Sequence, residues 1–506
     1  MSRTRRAAVS ATFGYAQFAL AITAGILVVP LVLARVPAAL YGVWLAFGEL
    51  LAYSAMADFG VLGVLPWLVA EHDGRGSRRT VRALLTAGVA VALGAALLFV
   101  AAAALAMRLA PLLPSVTPEL RQAVGGPLLL LVCGTALSFP LRVFPAALTG
   151  LQDVWFAGVL ALCQNALGVA LTVGLLLAGY GLYALAAAAV VPPLLSGLAA
   201  VVRLRVVAPD LLRGWRAPRR RLLRALAVQG MGGWTAGLGW RMIAATDAMV
   251  VLSVAGPAAA VVFAMTAKLG EIAMQVSWQL PDAALIGLAQ LKGERRPERV
   301  REVTLSLVRL TLLGAGAVAC GVLAFNPAFV TLWVGPARFG GLLLNALLAA
   351  EMMSHSLGHA LFATSATLGA RVHTGWMALL QGVVNLALAV VLGRAFGLAG
   401  VAAATVLSTL AVAYPTGVWM VRRTTGLTQR ALWRSAFAPW LGRTAALLLL
   451  GGVVGAASLR ALWLPAALAP ILAALFVWTQ RPLYAGLPFP ERARRLLVAV
   501  RVLRPA

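Results

Sequence analysis

The chain has 506 residues, 62% of them hydrophobic and only 11% charged, with a mean hydropathy of +0.92. A soluble chain of this length needs far more polar surface, and the apolar residues fall into blocks of roughly 20, the length that crosses a bilayer. A formal charge of +27 would suit a nucleic-acid binder. The basic residues, however, gather in short loops between apolar runs, where membrane topology alone places them. Composition therefore specifies an all-α polytopic membrane protein and argues against nucleic acid as a partner.

The first apolar run, 9–33, follows "MSRTRR". With many further runs behind it, it is expected to stay as a helix rather than to be cleaved as a signal peptide. The second, 41–69, carries Glu49 and Asp58 within it, although a charge in hydrocarbon costs about 2.5–3.5 kcal/mol on insertion scales. Runs three to six are 83–107, 125–148, 155–178 and 182–202. The seventh, 226–253, contains "QGMGGWTAGLGWR", with five glycines, which suits either close packing or a bend. Runs eight to twelve are 258–287, 303–325, 341–366, 373–393 and 397–420, and two more follow at 437–458 and 462–480. About fourteen spans are expected.

Arginine-rich loops orient them. Arg3, Arg5 and Arg6, the Arg75–Arg82 loop, the eight arginines of 203–224, the 292–301 loop, the 422–434 loop and the basic tail all fall on one side. The positive-inside rule makes that side cytoplasmic, so a bacterial cytoplasmic membrane protein with both termini inside is expected. Contact between the 203–224 loop and anionic lipid is expected too.

The chain repeats itself weakly. "VPAALYGVWLAFGELLAY" (36–53) parallels "GPAAAVVFAMTAKLGEIA" (256–273), and "GLYALAAAAV" (181–190) parallels "GLAGVAAATV" (397–406) at nearly the same offset. Each pair enters the membrane from one side, as parallel repeats do. The expected organisation is a six-helix bundle over 1–202, an Arg-rich linker over 203–225, a second six-helix bundle over 226–421, two additional helices over 422–480 and a basic tail over 481–506.

At about 1.5 Å per helical residue, Glu49, Arg241, Lys268, Glu271 and Glu351 fall in the middle half of a hydrocarbon core about 30 Å thick. Lys268 and Glu271 are spaced i, i+3 and can pair on one face. Asp247 lies nearer the outer edge and Asp58 nearer the cytoplasmic one. Asp58 and Gly60, in "DFG", suit a bend that Asp58 could cap. Intramembrane ionisable groups favour transport, although each could equally staple helices together. In "EMMSHSLGH", Glu351, His355 and His359 form one stripe. It suits interhelical hydrogen bonding or, with Asp247, ion or proton coupling; a metal site lacks further ligands. Cys133, Cys163 and Cys320 show neither metal spacing nor a disulfide framework. No P-loop and no catalytic pattern is present, so neither cofactor nor enzyme activity is expected.

"LYGVWLAFGELLAYSAMADFGVLGVLPWLVAEHDGRG" resembles the second span and following loop of the polysaccharide-biosynthesis exporters, the O-antigen and lipid-linked oligosaccharide flippases of the multidrug/oligosaccharidyl-lipid/polysaccharide (MOP) superfamily, through Tyr41, Gly42, Trp44, Asp58, Phe59 and Gly60. "NPAFVTLWVGPARF" (326–339), "GYGLYALAAAAV", "FGLAGVAAATV" and "DAMVVLSVAGPAAAVVFAMTAKL" resemble later family segments, so the likeness covers roughly 10–480. It implies two six-helix bundles around a central cavity, often with two added helices. The implied cargo is an undecaprenyl-diphosphate-linked oligosaccharide moved by alternating access, with membrane lipids and glycan-assembly proteins as partners. Arg241 and Lys268 would then meet the diphosphate, while Trp44 and Trp240 would stack on sugars or simply pack. A multidrug antiporter of the same superfamily and a lipid II flippase remain alternatives, with a membrane glycan polymerase or ligase further off.

Overall fold

In the computed structural model the backbone is described for residues 3–52, 56–109, 117–215, 217–244, 246–293 and 296–484, and every regular element among them is helical. Nine of these helical stretches are long and apolar enough to cross a membrane. Three shorter apolar ones, Ala19–Arg35, Ala38–Gly48 and Leu464–Thr479, accompany them. This is a multi-pass membrane protein. The described chain divides into two compact units, one holding the residues up to Leu238 together with Gly256–Ala260, the other Gly239–Ala255 and the chain from Val261 onward.

The first unit begins with α1 (Arg3–Arg35), α2 (Ala38–Ala52) and α3 (Val61–Gly74). The expected second span is thus two helices. Phe59 and Gly60 both take positive φ, 51° and 73°, which a continuous α-helix does not admit. The Asp58 carboxylate accepts from Gly60 N at 3.1 Å and from Leu62 N at 2.9 Å, so the exposed amides at the start of α3 are satisfied within the bend. Then come α4 (Arg78–Leu109), α5 (Pro118–Leu141), α6 (Val143–Gly150), α7 (Val154–Leu177) and α8 (Leu182–Val207). Gly179 and Gly181, at φ 87° and 53°, make the tight turn between the last two. The unit's core runs through α3, α4, α5, α6 and α8, around Leu65, Leu85, Phe139, Leu148 and Leu204, all fully buried.

A short 3-10 turn at Pro209–Leu212 leads to α9 (Arg220–Ala244). Up to Leu238, α9 belongs to the first unit, where it docks on the 56–60 bend. A Cβ on Gly230 would meet Phe59 O, and one on Gly60 would meet Gly230 O at 2.7 Å. Trp234 donates its indole N–H to Met56 O at 2.6 Å and stacks near Phe59, with ring centroids 5.4 Å apart.

The second unit holds α10 (Asp247–Ala255), most of α11 (Pro257–Gly293), α12 (Pro297–Val334), α13 (Gly341–Ser365), α14 (Arg371–Ser408), α15 (Tyr414–Thr425), α16 (Gln429–Leu432), α17 (Ala438–Ser458), α18 (Leu464–Thr479) and α19 (Arg481–Tyr484). The expected seventh span holds the end of α9 and α10, and Gly233–Ala255 is one stretch long and apolar enough to cross a membrane. Val372–Thr425 is one helical stretch of 54 residues, roughly 80 Å of helix at 1.5 Å per residue and far more than one bilayer. Gly397, at φ 62°, breaks it where the sequence separates runs eleven and twelve. Helix α12 packs on both α13 and α17. Gly451 and Gly455, four apart and so on one face of α17, meet Cys320 O and Leu323 O of α12, the close approach that small residues permit between membrane helices.

Candidate functional site

The second unit concentrates the intramembrane ionisable side chains. On α11, Lys268 Nζ lies 2.7 Å from Glu271 Oε2, with both side chains partly exposed. On α13, the electrostatic neighbours of Glu351 are Asp247 of α10 and Glu271. Glu351 thus feels two further carboxylates, from two other helices, and Lys268 pairs with one of them. Glu351 Oε2 is buried with no hydrogen-bond partner among the described residues.

One helical turn and two turns further along α13, His355 and His359 enter an aromatic box. Trp240 of α9 stacks on His355, with centroids 4.8 Å apart and planes 24° apart, and presents an edge to His359 and to Phe362. Trp278 of α11 stacks on His359 at 4.2 Å and 6°, and donates its indole N–H to Ser356 Oγ at 3.0 Å. One face of Trp240 is therefore occupied by protein. Trp278 escapes sequence reasoning because a tryptophan in an apolar helix ordinarily signals packing. Its signal is the seven-residue step from Glu271, which puts both on one face of α11.

Arg241 follows Trp240 directly, is partly buried, and has no hydrogen-bond or ion-pair partner among the described residues. Beside these groups, Asn326 of α12 donates to Thr266 O of α11 at 2.7 Å and to Asn345 Oδ1 of α13 at 2.8 Å, a fully buried staple across three helices.

In the first unit, Trp44 and Tyr41 line a cavity of about 520 Å³ with Gln164, Asn165 and Pro192. Asp58 and Gly60 form the bend described above. The Glu49 side chain lies outside the described residues. Among the described residues no group of three or more His, Cys, Asp and Glu has the geometry to hold a metal ion.

No protein-family model and no curated protein matches the chain. Solved structures do. A lipid II flippase, MurJ, in an inward closed conformation matches with a TM-score of 0.65 at 12% identity, over 94% of this chain and 98% of that one. A multidrug resistance MATE family transporter of the MOP superfamily matches in its inward-facing conformation with a TM-score of 0.64 at 16% identity, over 83% and 96% of the two chains. An outward-facing conformation of such a transporter matches at 0.58 and 16%, over 84% and 97%. What the lipid II flippase match leaves uncovered is shorter than α17 and α18 together, so that match runs into the C-terminal pair. The chain has the helical fold shared by MATE transporters of the MOP superfamily and the lipid II flippase.

Proposed function

We propose that the protein is a flippase that carries a polyprenyl-diphosphate-linked oligosaccharide across the cytoplasmic membrane by alternating access, with Arg241 meeting the diphosphate. The fold serves both drug exporters and a lipid-linked substrate flippase, so it does not choose between them. Arg241 carries the choice. A guanidinium within an apolar span, without a partner among the described residues, is costly unless an anion completes it, and phosphate is matched by charge-assisted, two-pronged bonds. Lys268 is already neutralised by Glu271 and is the weaker ligand. The arginine-rich loops support both termini in the cytoplasm, and fourteen spans in two six-helix bundles with an added pair remain the expected arrangement. Asp58 and Gly60 shape the bend in the second span.

A second reading, a cation-coupled multidrug antiporter, draws on Asp247 and Glu271 as electrostatic neighbours of Glu351, which suits a proton or a cationic cargo, with His355 and His359 as relay. Deleting the gene in its host and extracting polyprenyl-diphosphate glycans separates the two. Completed units held on the cytoplasmic leaflet, restored to the outer leaflet by the wild-type gene but not by Arg241→Gln, are the expected result. Unchanged lipid intermediates with new drug sensitivity would establish the antiporter instead.

A further inference from the structure

Two cavities inside the first unit share a wall. One, of about 520 Å³, lies among α1, α2, α7 and α8. The other, of about 470 Å³, lies among α5, α6, α7 and α8, with Arg142 at its α6 end. Gln164 and Pro193 line both, so the two adjoin along α7 and together make up the slot.

Four of the slot's polar side chains, Arg142, Gln164, Asn165 and Ser196, make no hydrogen bond among the described residues, whereas Thr149 and Thr172 bond their own helices. The Arg142 guanidinium makes no hydrogen bond or ion pair among the described residues. It sits over the Phe139 ring at 4.6 Å, with Asp58 as an electrostatic neighbour but not within ion-pair distance. Gln164, Asn165 and Ser196 have no hydrogen-bond partner among the described residues either, and all three line the slot. Pro192 and Pro193 sit within α8 and lack N–H groups, which deprives the carbonyls of Ala188 and Ala189 of their helical donors. Both alanines line the larger cavity, beside Trp44. Polar groups in a membrane interior require a polar occupant.

We propose that the slot is a binding site for a glycosyl diphosphate head group, its phosphates on Arg142 and Ser196 and its sugar hydroxyls on Gln164, Asn165 and the two proline-freed carbonyls, with Trp44 against the sugar face. This rests on the flippase reading but places a second contact for the cargo in the first unit, apart from Arg241.

The test is equilibrium binding to the purified full-length protein in phosphatidylcholine nanodiscs. The probes are farnesyl-diphosphate-linked N-acetylglucosamine, farnesyl diphosphate and inorganic pyrophosphate. Arg142→Gln is expected to weaken both farnesyl probes about tenfold or more, as loss of a charge-assisted contact does. Asn165→Leu is expected to weaken only the sugar-bearing probe. Ala161→Phe fills the slot and leaves Arg142 in place; it should weaken both farnesyl probes, which guards against misfolding of the arginine variant. Competition by pyrophosphate as strong as by the farnesyl probes would make the site one for free anion and overturn the proposal. Wild-type affinity in Arg142→Gln and Ala161→Phe would overturn it too. If Arg241→Gln alone then abolished binding, the flippase reading would survive this failure. If wild-type protein bound none of the probes, both would fall.

Discussion

Individual side chains divide into those whose partners lie one turn away and those whose partners lie far along the chain. The Lys268–Glu271 pair is legible from its spacing alone, as is the stripe of Glu351, His355 and His359. The partners of Asn326 are 60 and 19 residues away, and nothing local marks that asparagine as a staple. Its replacement supplies a clear expectation. Asn326→Leu removes two hydrogen bonds and strands the buried Asn345 Oδ1, a loss of about 1–3 kcal/mol, visible as a lower melting temperature of the detergent-purified protein. Arg142 lies within the fourth apolar run, but sequence depth says nothing about whether a cation has a partner. That property emerges only when the neighbours are in place.

At the scale of elements, hydropathy and glycine locate most helix ends. The turns at Gly179–Gly181 and Gly397 fall where the apolar runs part, since only a residue without Cβ takes those φ values cheaply. The bend at 56–60 carries a signal in "DFG", because an aspartate before a glycine supplies both an acceptor and a left-handed position. The π-helical segments at Thr409–Ala413 and Trp433–Phe437 carry none, whereas the one at Ala366–Ala370 holds Gly369 at φ 105°. The α12–α17 contact gives a test at this scale. Gly455→Leu would drive a side chain into Leu323 O. It should separate the helices and cost about 1–3 kcal/mol, as overpacking does. Gly452→Leu, whose site has open space around it, should leave the melting temperature unchanged.

For the whole molecule, hydropathy makes the membrane class plain, because each crossing must be long and apolar. The substrate is another matter, since one fold holds both drug exporters and a lipid II flippase. Orientation is testable directly. After replacement of the three native cysteines, Ser77→Cys in the arginine-rich loop should react with a membrane-impermeant maleimide only in inverted vesicles. Ala337→Cys, between α12 and α13, should react only in intact spheroplasts. The contact of α9 with the 56–60 bend has a genetic consequence. Because backbone meets backbone at Gly60 and Gly230, no enlargement on one side can be matched by a reduction on the other. A saturating mutational scan should find both codons intolerant of every replacement, and no second-site change at either position should rescue alanine at the other. Suppressors should arise instead at Phe59 or Trp234, whose rings can be trimmed to let the two strands of chain draw apart.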